Sequence, residues 1–326
     1  MALNSDSWTF KGTTNVHHDH YNQNLLYGLM GFLRWASLEA YGFQNIDHTY
    51  ASGMYGGDFS RLRPVSDPNY TDGQVWEGFR GDWIWETGST SSPSINSGVY
   101  VDGAWAETAT EIGVYSHYVD FPRGRVVFDS PVGTTSVIKA DFAHRIPTVV
   151  KASEHWLREL AFDSFHVERD DYMAVGSGMW DQPYAVRRQL PCLGIQLVNR
   201  RGLEPYELGG SQWVYQTVDM YVVSQDDHFV DQWVDVLTLE NDRTVWLPNR
   251  KRMQDDAGYP HDLDYRGAPV SNPMTYPQLI QPTGGGGFGW TNAEWGETSA
   301  ERIGGLPDGL FATKVQATFA VILGYI

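Results

Sequence analysis

Between Asn22 and Glu39, apolar residues recur at spacings of three and four. Leu25, Leu26, Leu29, Phe32, Leu33 and Ala36 therefore share one face, and the spacing predicts an amphipathic helix. Gly28 and Gly31 weaken its middle, and Gly42 supplies a stop shortly after it. From Asn45 to Ser97 the pattern dissolves into Gly, Pro, Asp and Ser clusters with many aromatics. Loops and short strands laid over a β core are expected there.

The block from Gly98 to Val150 is the most legible. Val99–Val101 runs into Asp102-Gly103 and then Ala104 and Trp105, a strong hairpin signal, because both central positions of a type I′ turn need positive φ. Tyr115–Phe121, Pro122-Arg123-Gly124 and Arg125–Asp129 read as a second hairpin. Ser136–His144 alternates, with Val137, Lys139 and Asp141 opposite Ile138, Ala140 and Phe142, and Ile146–Val150 extends it past a kink at Pro147. Consecutive antiparallel strands of this kind imply a sandwich or barrel-like module.

Downstream, Ser153–Leu160 reads as a short helix, and Leu193–Asn199 and Gln212–Ser224 read as strands. Asp226–Leu239 is a second amphipathic helix, with Phe229, Trp233, Val236 and Leu237 on its expected face and Asp226 or Asp227 as cap. Thr244–Leu247 is a short strand, Asp255–Gly289 is turn-rich, and Thr313–Leu323 alternates as a closing strand. The expected fold class is mainly β with minor α. It combines an antiparallel β-sandwich or barrel-like module with a smaller α+β part. The expected divisions are 1–97 (helix and aromatic-rich arm), 98–150 (hairpins) and 151–326 (α+β part), with a softer boundary near 150–195.

The chain has 326 residues, 41% of them hydrophobic and 19% charged, so it can bury a core rather than stay disordered. Its net charge of -17 disfavours coating DNA or an anionic membrane, since phosphates are repelled. Basic residues concentrate at Arg187, Arg188, Arg200 and Arg201 and again at Arg250, Lys251 and Arg252, and loop charges are the expected reading. One cysteine, Cys192 in an apolar stretch, reads as a small core residue and cannot form a disulfide within the chain. The N-terminus lacks a signal-peptide pattern and no stretch approaches 18 apolar residues, so synthesis and assembly in the cytoplasm, away from membranes, is expected.

His17, His18, Asp19 and His20 are the densest group of metal-ligand types, yet successive residues converge poorly on one ion. No metal is therefore expected, with His17, His18 and His20 as the candidates if there is one. Acidic residues beside tryptophans (Trp76-Glu77, Trp85-Glu86, Trp295 with Glu294 and Glu297) raise glycan hydrolysis or binding, but adjacency does not establish the paired-carboxylate geometry. Gly284–Gly287 lacks the Lys-Ser/Thr of a phosphate loop, and no G-x-S-x-G, H-E-x-x-H or C-x-x-C occurs. A noncatalytic chain without a cofactor is expected. Interface residues, chosen by type and setting, are Trp76, Trp83, Trp85, Trp105, Arg250, Arg252, Phe288 and Trp290.

The segments Ser97–Gly103 (SGVYVDG) and His117–Pro131 (HYVDFPRGRVVFDSP) resemble segments of tailed-bacteriophage virion proteins, notably of marine and cyanobacterial phages. Gly194–Asn199, Pro205–Gly210, Leu263–Gly267 (LDYRG), Asn272–Met274 and the glycine run are similar to the same kind of protein. The resemblance spans about residues 58 to 320 and carries no catalytic residues. It implies a virion structural protein of the neck, a head-to-tail connector or collar component. Such a component would form a ring with copies of itself and meet portal, connector, tail or fibre proteins. An acidic channel lining is a further expectation from the charge. The alternatives are a tail-fibre attachment or glycan-binding adhesin protein and, behind it, a hydrolase.

Overall fold

The computed structural model describes residues 21–49, 59–108, 115–152, 157, 189–205, 212–248, 263–271, 273–280, 292–306 and 309–323. Strands dominate, arranged in several antiparallel sheets and one curled half-barrel sheet, with few helices.

Helix α1 spans Tyr21–Glu39. Leu25, Leu26, Leu29, Phe32 and Leu33 are buried on its inner face, as their spacing requires. The two glycines that lower its propensity have a packing reason. A Cβ on Gly28 would lie 2.7 Å from Leu247 Cδ2, and one on Gly31 would lie 3.1 Å from the Tyr276 ring. After the helix, Tyr41 takes the left-handed conformation (φ 59°), while the Gly42 N–H donates to Ser37 O at 2.7 Å. Gly42 must be glycine for space, since a Cβ there would sit 2.8 Å from Ile146 O.

The strands are β1 (Phe43–Ile46), β2 (Arg63–Val65), β3 (Val75–Glu77), β4 (Gly98–Val101), β5 (Ala104–Glu107), β6 (His117–Asp120), β7 (Arg125–Phe128), β8 (Ile138–Ala140), β9 (Phe142–Arg145) and β10 (Thr148–Lys151). There follow β11 (Cys192–Pro205), β12 (Gln212–Ser224), helix α2 (Asp227–Leu239), β13 (Arg243–Trp246), the short helix α3 (Tyr276–Leu279), β14 (Asn292–Arg302) and β15 (Phe311–Leu323).

Strands β1 to β9 form three small sheets, ordered β2-β3-β7-β6, β5-β4-β8 and β1-β9, with antiparallel pairing throughout. Their apolar faces meet in one core containing Trp76, Trp83, Val99, Val126, Phe128, Ile138 and Phe142. The expected hairpin turn is present, with Asp102 at φ 48° and Gly103 at φ 85°. Residues 136–144 form two strands rather than one, because β8 pairs with β4 whereas β9 pairs with β1. The chain changes sheet at Asp141.

The second body is a six-stranded sheet ordered β10-β11-β12-β15-β14-β13, antiparallel except that β10 runs parallel to β11. Register shifts in β11 and β14 bend it. Alternate residues of β12 and β15 (Val214, Val218, Met220, Val222; Val315, Ala317, Phe319, Val321) point to one face, where α1 and α2 share their core. Helix α1 contacts β10 and β11 near one edge and β13 at the other, so it fills the open side of the half-barrel. Cys192 is fully buried in a satellite cluster with Val223 and Ala312.

Packing crosses the expected division at 97/98. Strand β3, before it, pairs with β7, after it, and α1 belongs to the core of the C-terminal sheet. The buried face of α2 also differs from the expected one. Val230 and Leu237 are buried with Trp233 and Val234 beside them, whereas Val236 is 47% exposed. The i, i+3, i+4, i+7 row starting at Val230 places the sheet one residue round from the row starting at Phe229. Asp226 caps α2, accepting the His228 N–H at 3.0 Å.

Candidate functional site

Trp76 and Trp83, expected at a subunit contact, are core residues. Each is 1% exposed, and each indole N–H is satisfied inside the chain, by Gly73 O at 2.8 Å and Arg80 O at 2.7 Å respectively. Their area was spent on folding, because the three small sheets need large rings to fill the space between them. Trp85 is half-buried against the same core, while Trp105 stands 44% exposed. Arg250, Arg252, Phe288, Trp290, His17, His18 and His20 lie outside the described residues. Two of the carboxylates beside tryptophans are engaged elsewhere. Glu77 accepts from Arg125 at 2.9 Å, and Glu86 pairs with Arg145.

Two surface clusters gather side chains from distant segments. The first joins β6 to residues 263–267. The Phe121 N–H donates to Gly267 O at 3.1 Å, and Asp120 lies so close that a Cβ on Gly267 would be 2.3 Å from its Oδ1. Gly267 (φ 81°) is thus fixed by space and by backbone conformation. Across this junction the Arg266 guanidinium lies 5.1 Å over the Tyr118 ring and 5.5 Å from the Tyr265 ring. Tyr118 shares a 2.9 Å hydroxyl hydrogen bond with Tyr70. Burial pushes the Tyr118 phenol up, and that hydrogen bond adds to it. Tyr265 is 89% exposed. On the Tyr70 and Asp120 side of the cluster, a cavity of about 260 Å³ is lined by these two with Asp67, Asn69, Arg123 and Arg125 among others. Arg123 is held on Asp120 at 2.7 Å, which raises its pKa further.

The second cluster is a ladder of rings. His48 stacks on Tyr100 at 3.9 Å, and Tyr100 meets Trp105 at 4.8 Å. His48 Nδ1 lies 2.8 and 2.9 Å from the two Asp141 oxygens, and the His48 backbone N–H donates to Asp141 Oδ1 at 2.6 Å. Asp47 Oδ1 accepts the Thr49 N–H and hydroxyl at 2.7 Å each, and the backbone bond is the main cause of its lowered pKa. A cavity of about 530 Å³ opens beside the ladder, lined by His48, Tyr100, Asp102, Gly103, Val137 and Lys139. Sequence reasoning found Trp105 here but missed Asp47, His48 and Asp141. Adjacent Asp47 and His48 are a signal, but nothing local brings Asp141 to them from 93 residues away.

Between the two bodies lies a buried ionic centre. Arg145 (4% exposed) pairs with Glu86 and lies 3.6 Å from Asp82, and it donates to Arg34 O of α1 at 3.1 Å. Next to it, His144 is 1% exposed, and burial, then the charge of Arg80, pushes its pKa down to about 4. The ring is therefore neutral in the fold, while in the unfolded chain it titrates near 6.5. Above 6.5 both states are neutral and stability is unaffected. Between 6.5 and 4 the unfolded chain binds the proton and the folded one does not, so stability falls, by about 3 kcal/mol. His144→Gln should flatten that part of the stability–pH curve, measured by urea unfolding at pH 7 and pH 4.5. An unchanged slope would remove His144 as its cause.

Among the described residues, no helix is long and apolar enough to cross a membrane. No protein-family model matches the chain, and neither does any curated protein.

Proposed function

We propose that the chain is a noncatalytic virion structural protein of a tailed phage, a neck component that meets copies of itself and neighbouring virion proteins through aromatic surface clusters. The observation that carries this reading is the Tyr70–Tyr118–Tyr265–Arg266 cluster. Interface hot spots are enriched in Tyr, Trp and Arg, because large rings and a planar guanidinium gain contact at little entropic cost. Here they stand on the surface of an acidic chain, positioned by hydrogen bonds and cation–π contacts. Further support comes from where the resembling segments lie. His117–Pro131 and Leu263–Gly267, far apart in sequence, dock on one another to build this cluster.

The test is Tyr265→Ala with Arg266→Ala, read by native mass measurement of the full chain with and without co-expressed neck partners. Both side chains are exposed, so unfolding should shift by only about 1 kcal/mol, from the lost contacts of Arg266 with Tyr118 and Asp264. Loss of two hot-spot residues should weaken assembly at least about 30-fold, from about 2 kcal/mol or more. A wild-type monomer that binds no virion protein, or an unaffected variant assembly, would overturn the reading.

A second reading, a glycan-binding adhesin, is favoured by one feature. The half-buried Tyr100 lines an open cavity with Asp102 and Lys139, and the exposed Trp105 packs on that ring, a ring platform with polar groups around it. The burial of Trp76 and Trp83 weighs against it, since they supply no aligned groove.

A further inference from the structure

We propose that Asp47, His48 and Asp141 form a site for one divalent d-block cation of the zinc, cobalt or manganese type. This is independent of the neck reading. One ligand atom from each residue lies within 4.8 Å of the others, and the residues come from two separate segments, the turn after β1 and the break between β8 and β9. Asp141 lies between the buried Ala140 and Phe142, so alternation places its side chain on the opposite, partly exposed face at the point where the chain changes sheet.

The geometry exceeds what a histidine–carboxylate pair needs. A single Nδ1–H is served by one oxygen, yet both Asp141 oxygens lie 2.8 and 2.9 Å from His48 Nδ1. A third oxygen, Asp47 Oδ1, stands 3.6 Å from the same nitrogen, too far for a hydrogen bond. Ligand atoms around a cation with bonds of about 2.0 to 2.2 Å lie about 3 to 3.5 Å apart. His48 Nδ1 already stands near that spacing from the Asp141 oxygens and from Asp47 Oδ1, and a cation there would bind Nδ1 in the tautomer that carries its proton on Nε2, so that the ring stays neutral. One imidazole nitrogen with two carboxylates matches borderline d-block ions, whereas calcium and magnesium favour all-oxygen sets. Two carboxylates and a neutral imidazole sum to two negative charges, balancing one divalent ion.

The ligands are also held by groups behind them. Tyr100 stacks on the His48 ring, Thr49 fixes the Asp47 oxygen, and the His48 N–H holds Asp141. Side-chain exposures of 29% for His48, 36% for Asp141 and 52% for Asp47 leave room for waters to complete the coordination shell. The bound ion would act as a clip, tying the end of β1 to the β8–β9 corner beside the 530 Å³ cavity.

The test starts from the full chain with His17, His18 and His20 changed to alanine, which removes the competing N-terminal imidazoles. Calorimetric titration with Zn²⁺ and absorption titration with Co²⁺ should each give one site with micromolar affinity, and Co²⁺ should develop visible ligand-field bands. His48→Ala and Asp141→Asn should each weaken binding at least about tenfold. Zn²⁺ should raise the thermal midpoint of the parent but not of His48→Ala, and circular dichroism confirms that each variant is folded. Absence of a 1:1 site in the micromolar range would overturn the proposal. So would affinity that His48→Ala leaves unchanged, since the ion would then bind adventitiously elsewhere.

Discussion

Trp83→Ala is expected to lower the unfolding free energy by about 3 to 5 kcal/mol, the range for emptying a fully buried aromatic site. The ring is stacked on Phe142 at 4.1 Å and 17°, and its indole N–H donates to Arg80 O. Glycines close over it. A Cβ on Gly78 would lie 2.8 Å from its ring, and one on Gly124 would lie 2.7 Å from Nε1. A rim shaped this closely cannot collapse cheaply into the hole, which puts the cost toward the upper end of the range. The carbonyl of Arg80 also loses its partner. Urea unfolding read by tryptophan fluorescence measures the change. Trp105→Ala is the matched control: with its ring 44% exposed, it should cost no more than about 1 kcal/mol. A Trp83→Ala chain as stable as wild type but unable to assemble would return Trp83 to the interface role its residue type suggested.

Arg145→Met should be comparably damaging, by about 3 to 5 kcal/mol, for an electrostatic reason. Methionine fills much of the volume, so the loss is not chiefly a cavity. What remains is Glu86 and Asp82, mostly withdrawn from water, without the guanidinium that offsets their desolvation. The carbonyl of Arg34 on α1 also loses a donor, so the contact between the two cores weakens together with the ion pair. The double variant Arg145→Met with Glu86→Gln tests the cause. Removing the stranded charge should recover more than about 1 kcal/mol of the single variant's deficit. If the two losses simply add, the damage is steric and the ionic account fails.

The legible parts of the chain share a property. Where the burial of a segment is set by its own periodicity, the pattern of residues carries it. The α1 face, the Asp102-Gly103 turn, the alternation of Ile138, Ala140 and Phe142, and strand β12 at Gln212–Ser224 are cases. Strand β14 was not legible. Only Ala293 and Trp295 of its eleven residues are buried, and the rest is polar and rich in Glu, because much of it runs beside a single neighbour. An exposed edge gives no apolar alternation to read. The candidate clusters were partly legible. Trp105 is picked out by its type as an interface residue and stands 44% exposed, but Tyr265 and Arg266 read as part of a turn-rich stretch, and only docking on β6 brings them to Tyr118.

What the sequence determined by itself is the mainly β character, the two amphipathic helices, the hairpins and a fully buried Cys192, since each follows from local spacing, turn chemistry or an apolar setting. Tertiary structure alone decided which tryptophans are core, where the chain changes sheet, and that α1 fills the half-barrel of strands far along the chain. It also decided that Asp141 meets His48 and that Arg145 meets Glu86. The physical reason is common to all of these. Burial and charge pairing are settled by whatever surface arrives from elsewhere in the chain, and the residue types in one segment do not encode which surface that is.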